Sequence, residues 1–333
     1  MNYSNIKNKN KNINLGIQLL RTILCFWVLS FHYLNGEKLN YFFFYITKKK
    51  FFHVPCFSFI SFYYSNNIFS QPNVTKIKNR LKRLLIPYII WPLIVYIKNI
   101  PFTKNLSFYP LKMQLLLGRQ FMTPHWYLFS ITIILTIFIY ILSNLIKTDF
   151  LFYAQLLMIL IYIGQYSNYY LFLNIYKPNV KFPILDTLSI FPLCVTGLTM
   201  ASINIFQLCK KYKTKVIFFS FIFLYFLFKY KCFIDLGGYN GIMNIFASFF
   251  FFSIFYLLPL ENINTNFQRI IKHITNFTQG VYCLQSIMNP FVNKIFNIHG
   301  TLKSIIITYF ISYLISFIGF QIFGKTNLKY LFI

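Results

Sequence analysis

The stretch Leu15–Tyr33, LGIQLLRTILCFWVLSFHY, decides the fold. It is apolar over a length close to the ~20 residues that a helix needs to cross a bilayer. Met1–Asn14 before it is polar and Lys-bearing, so the pair mimics a signal peptide. The run is long for that role, lacks an A-x-A-like cleavage site and contains Arg21, which makes it an uncleaved first span. Arg21 and His32 share one side of it, because eleven steps of about 100° return to within about 20° of the start. They stand roughly 16 Å apart along the axis. An arginine near the centre of a span costs on the order of 2.5–3.5 kcal/mol, so this face needs a polar cavity or a partner. The plainer alternative is an Arg21 that snorkels to the headgroups and a His32 at the opposite interface.

Similar runs recur outward from this one, near Val54–Phe69, Leu84–Ile97, Trp126–Ile146, Phe150–Gly164 and Pro183–Phe206. Others lie near Val216–Phe228, Gly241–Leu260, Ile274–Ile295 and Ile305–Phe323. The 333 residues are 57% hydrophobic and 11% charged, whereas a soluble chain carries roughly 25% charged residues. The fold class expected is all-α, a polytopic integral membrane protein with about ten transmembrane helices. Residues 1–14 read as a disordered cytoplasmic tail, 15–324 as one membrane domain, and 325–333 as a short cytoplasmic C-terminus. No soluble domain is left over on this reading.

The net charge is +27, from 32 Lys+Arg against 5 Asp+Glu. These bases come in short clusters between apolar runs, which points to a membrane surface rather than to nucleic acid. The richness in Phe, Ile, Asn, Lys and Tyr matches A/T-rich codons, which accounts for part of the Lys excess. Lys7, Lys9 and Lys11, the Lys76–Arg83 cluster, and Lys210, Lys211, Lys213 and Lys215 favour a cytoplasmic N-terminus. Lys48–Lys49–Lys50 runs against that orientation. Ten spans would return the C-terminus to the cytoplasm.

Three groups carry chemistry. Arg21 and His32 are the first. Arg80-Leu81-Lys82-Arg83, leading through Pro87 into an apolar run, is the second. It reads either as a positive-inside anchor or as a pair of guanidinium forks for a polyanion. The third is His125-Trp126-Tyr127-Leu128, which is either part of an aromatic belt or a group at the depth of His32 and His53. Of the five acids, Glu37, Asp149 and Glu261 fall in loops, while Asp186 and Asp235 are candidates to face a cavity. The six cysteines are scattered, without C-x-x-C or metal spacing, and read as small buried hydrophobes. There is no G-x-S-x-G, Walker loop, H-E-x-x-H or G-x-G-x-x-G, and no metal is expected. Without paired carboxylates glycosidase chemistry is disfavoured. A histidine with no nucleophile partner fits direct transfer, in which imidazole takes the proton of an attacking hydroxyl.

Together these pieces resemble the acyltransferase-3 family of membrane-bound acyltransferases, which includes glycan O-acetyltransferases. The family's Arg and His separated by ten intervening residues on the first helix are matched by Arg21 and His32. Its R-x-x-R entry to the third helix is matched by Arg80 and Arg83, and its W-x-L-like start of the fourth by His125-Trp126-Tyr127-Leu128. A late motif aligns with Gly280-Val-Tyr-Cys-Leu-Gln-Ser286. Three positions depart from the pattern: Gln18 replaces an acid, Phe62 follows Ser61 where glycine is common, and Gln285 replaces a histidine. The family's optional esterase-like C-terminal domain is not expected here.

The resemblance implies transfer of an acyl group, usually acetyl, from acyl-CoA to a sugar hydroxyl of a surface or lipid-linked polysaccharide. His32 would be the general base, and Arg21, Arg80 and Arg83 would hold the CoA side. His125 and Trp126 would bind the acceptor. The implied partners are the lipid bilayer, acetyl-CoA or another acyl-CoA as co-substrate, and a glycan acceptor, with homo-oligomers allowed and no nucleic acid. The implied location is the cell membrane, multi-pass, with both termini cytoplasmic. The competing class is a transporter or flippase for a glycan or anionic substrate, with Arg21 as counter-charge and His32 as a gating group. Inverted repeats or paired broken spans would favour it, and neither is evident in the sequence.

Overall fold

The computed structural model describes residues 14–34, 53–99, 135–175, 183–229 and 242–333, with 111, 115, 127 and 128 singly between them. Among these every regular element is helical. In chain order the helices are α1 Leu15–Tyr33, α2 His53–Tyr63, α3 Asn66–Phe69, α4 Val74–Asn99, α5 Ile137–Ile146, α6 Phe150–Ile175 and α7 Pro183–Ser202. They continue with α8 Ile205–Cys209, α9 Lys213–Lys229, α10 Ile242–Leu257, α11 Thr265–Asn276, α12 Thr278–Phe296 and α13 Leu302–Phe323.

Among the described residues three helical stretches are long and apolar enough to cross a membrane: Leu15–Tyr33, Met243–Asn262 and Leu302–Phe323. Ile190–Ser202 and Ile205–Leu227 make a fourth if this pair, bent by 61°, counts as one. The sequence reading anticipates about ten, and the difference has physical causes. Ile137–Ile146 is apolar but short, and in α6 the side chains after Ile163 lie outside the described ones. α4 opens with basic turns and holds Pro87 and Pro92, α12 carries Gln279, Gln285, Asn289 and Asn293, and residues 129–134 lie outside the described set. The bend falls at Asn204, left-handed at φ 51°, a conformation that asparagine tolerates better than most residues.

α1 sits at the centre and packs against α2, α10, α11, α12 and α13. The Asn14 side chain accepts from the Ile17 amide at 3.2 Å, supplying the N-cap, and its amide donates to the Tyr256 carbonyl at 2.7 Å. α12 runs parallel to α1: Thr278 lies beside Arg21 at one end, and Ile305, just after α12, packs on Leu29 and Leu34 at the other. Trp91 Nε1 donates to the Leu331 carbonyl at 3.3 Å, which ties the chain's C-terminal turn to α4.

The expected span Ile274–Ile295 is in fact two helices broken at Phe277. Thr275 Oγ1 bonds back to the Ile271 carbonyl at 2.8 Å and across to the Gln18 carbonyl at 3.1 Å, while Thr278 Oγ1 bonds to the Thr275 carbonyl at 2.9 Å. α11 before the break carries Arg269, Lys272 and His273 on one side and Phe267, Ile270 and Ile274 on the other. That pattern suits a helix lying in a membrane interface.

One close approach of helices in the core has a testable consequence. α7 packs on α2 through Gly197, where an added Cβ would stand 2.5 Å from the Phe59 carbonyl oxygen. Gly197→Val is therefore expected to cost about 1–3 kcal/mol by overpacking. It would appear as a lower thermal midpoint of the detergent-purified protein, and an unchanged midpoint would contradict this packing.

Candidate active site

Arg21 leaves α1 at its inward face and donates through Nη2 to Thr278 Oγ1 at 3.5 Å, the long end of hydrogen bonding. Cys25, one turn on, donates to the Thr278 carbonyl at 3.4 Å, so this threonine joins α12 to the helix that bears the arginine. The groups within electrostatic reach of Arg21 are Cys25, Tyr127, Tyr64 and Arg83. Those around Arg80 are Cys194, Tyr127 and Arg83. Tyr127 thus lies near both Arg21 and Arg80, Arg83 lies near each of those two arginines, and among the described residues no carboxylate stands beside them. Gln18, three residues before Arg21, is buried and neutral, and its Oε1 has no hydrogen-bond partner.

Arg80 and Arg83 have separate surroundings although they are one turn apart on α4. Arg80 donates from Nε to Thr136 Oγ1 at 3.2 Å, from Nη2 to Ser61 Oγ at 3.0 Å, and from Nη1 to Ser65 Oγ. Its guanidinium also lies 5.0 Å from the centroid of the Phe62 ring, a cation–π contact. All three guanidinium nitrogens are thereby used to join α4 to α2, to the turn after α2 and to the start of α5. Phe62 forms the aromatic floor of this cradle. Arg83 by contrast is exposed, and its guanidinium makes no hydrogen bond among the described residues.

Proline places Arg83. Pro87 has no N–H to return to the carbonyl four residues earlier, which is that of Arg83. Gln279 Nε2 on α12 fills the vacancy at 2.7 Å. The residue that breaks the α4 ladder thus docks α4 on the helix that holds Arg21.

His32 lies in the last turn of α1, half-buried. Its ring meets Phe31 edge-on at 5.2 Å, and Phe31 in turn lies 5.1 Å from His53 of α2. The two histidines flank one phenylalanine at the end of α1 opposite Arg21. His125 and Trp126 fall outside the described residues. Their neighbour Tyr127 is buried, packing 6.4 Å from the ring of Phe57 and 6.1 Å from that of Tyr282. Tyr127, Thr278 and the Ser61, Ser65 and Thr136 hydroxyls are site residues that the sequence reading did not single out. Only the aromatic run Trp126-Tyr127 hinted at the first.

A separate groove of about 290 Å³ lies between α11 and α13, lined by Ile270, His273, Ile274, Tyr309, Phe310 and Tyr313. His273 Nδ1 and the Tyr313 hydroxyl share a 2.6 Å hydrogen bond there. Its lining is mainly apolar and includes none of the three arginines.

The arrangement can do two things at once. It offers a cationic end for an anion and, about 16 Å away along α1, an imidazole able to move a proton. A family model described as an acyltransferase domain matches residues 14–324. No curated protein and no solved structure matches the chain.

Proposed function

This chain belongs to the acyltransferase-3 family, and we propose that it moves an acyl group, acetyl in the first instance, from acyl-CoA to a sugar hydroxyl of a surface or lipid-linked polysaccharide. The family makes it a membrane acyltransferase. The observation that supports the finer reading is the proximity of Arg21, Arg80 and Arg83 with no carboxylate beside them among the described residues. Neighbouring cations with no carboxylate beside them call for an anionic ligand, and the phosphates of CoA are of that kind. Arg83 and Arg21 are the arms offered to them. Arg80 adds its charge from a fixed position, because each of its three nitrogens is held by a hydroxyl.

In this reading the thioester lies towards His32, and the acceptor enters from the far side. His32 takes the proton of the sugar hydroxyl as its oxygen attacks the thioester carbonyl. The C–O bond forms, the C–S bond breaks, and the imidazolium returns the proton to the departing CoA thiolate. His125 and Trp126 would bind the acceptor. About ten spans, a cell-membrane location and cytoplasmic termini belong to the same proposal, with the arginines on the side that holds acyl-CoA. The family weighs against the carrier alternative.

Purified protein in nanodiscs is expected to bind acetyl-CoA saturably. Arg83→Ala should weaken binding about tenfold, the scale of one charge-assisted contact, with the thermal midpoint unchanged because Arg83 is exposed. Calorimetry or ligand-dependent thermal stabilisation reads both. Absence of binding by the unaltered protein would sink the donor assignment.

A further inference from the structure

The chain from Arg21 to His32 leaves an interval of roughly 16 Å that any CoA thioester must bridge, and one buried side chain stands in it without a partner. Gln285 is 1% exposed, and neither its Nε2 nor its Oε1 has a hydrogen bond. An unpaired amide inside a membrane domain is costly, since each orphaned polar group forfeits on the order of 1–3 kcal/mol. Gln285 is on the α12 face that also bears Thr278 and Tyr282, since residues 278, 282 and 285 stay within about 60° of one another at 100° per step. Thr278 is the partner of Arg21, and Tyr282 packs on Tyr127. α12 is parallel to α1, so Gln285 lies about 10 Å beyond Thr278 towards the His32 end.

A second orphan lies at the same depth on the next helix. α13 runs antiparallel to α12, with Ser316 beside Gly280 and Thr308 beside Asn289. Ser312 is level with Gln285, and its hydroxyl is also buried without a partner.

We propose that Gln285, supported at its depth by Ser312, recognises an amide of the pantetheine arm of the acyl-CoA donor. This rests on the donor reading above and adds where the arm is held. Both atoms of the Gln285 amide are vacant, so the matching ligand group offers a donor and an acceptor together. A secondary amide does so, and the arm carries two of them between its phosphates and its sulfur. The thioester carbonyl is only an acceptor and would leave Oε1 unmet. An arm crossing an apolar interior needs such partners for its own amides.

The test compares two ligands and two variants in nanodiscs: acetyl-CoA, and the phosphorylated nucleotide half of CoA without its arm, against the unaltered protein, Gln285→Leu and Gln285→Met. Each variant should bind acetyl-CoA about tenfold or more weakly and the nucleotide half as the unaltered protein does. Unchanged acetyl-CoA affinity in both variants overturns the assignment. So does equal weakening of both ligands, which would place the effect away from the arm. If the unaltered protein binds no acetyl-CoA, it is the donor reading that fails.

Discussion

Replacing His32 by alanine is expected to lower acyl transfer by about 10²–10⁴-fold, the range general-base catalysis contributes, while the protein still inserts and accumulates. The side chain is half-buried at the end of α1, where its ring meets that of Phe31 edge-on at 5.2 Å and that of Tyr33 at a tilt at 6.1 Å. Truncation there removes little core. His32→Gln should fail to the same extent, because an amide keeps a donor and an acceptor but cannot carry the proton. The O-acetyl content of the cell's glycan, measured beside the protein level in the membrane, separates chemistry from folding. Normal acetylation in either variant would remove His32 from the reaction.

Arg80→Ala should be the most damaging change to the scaffold. It deletes three hydrogen bonds to hydroxyls on separate elements together with the stack on Phe62. Hydrogen bonds to a charged group contribute about 1.5–3 kcal/mol each and do not simply add, so a loss of about 3 kcal/mol is expected. The thermal midpoint should fall by several degrees and donor binding should fall with it. Arg80→Lys keeps the charge but has no planar fork to span Ser61, Ser65 and Thr136, so it should remain close to the alanine variant in stability. A lysine variant with the midpoint of the unaltered protein would mean that charge alone matters there.

Much of the fold was legible because lipid-crossing helices announce themselves by length and apolarity. α1 and the stretches Met243–Asn262 and Leu302–Phe323 fall close to where hydropathy puts them. Hydropathy fails where side-chain chemistry overrides it. Thr275 and Thr278 break a run that looks continuous, and Asn204 turns the chain by 61° between segments that read as independent spans. Arg21 and His32 were legible as a pair, since both sit on one regular helix and its period is enough to align them.

The arrangement around α4 was not legible. Arg80 and Arg83 look equivalent as an R-x-x-R pair, and their division into a locked and an open guanidinium depends on hydroxyls up to 56 residues away in sequence. Two departures from the family pattern gain a physical meaning only in three dimensions. Phe62 supports Arg80, and Gln285 supplies a vacant buried amide. Gln18 leaves the neighbourhood of Arg21 without a carboxylate, which raises the demand for an anionic ligand.

The central claim, acyl transfer to a glycan, is tested most directly by proton NMR of the surface polysaccharide from cells lacking this chain. The methyl signals of O-acetyl groups should disappear, return when the unaltered chain is restored, and stay absent when His32→Ala is restored at the same membrane level. O-acetyl signals of undiminished intensity in the deleted cells would contradict the account.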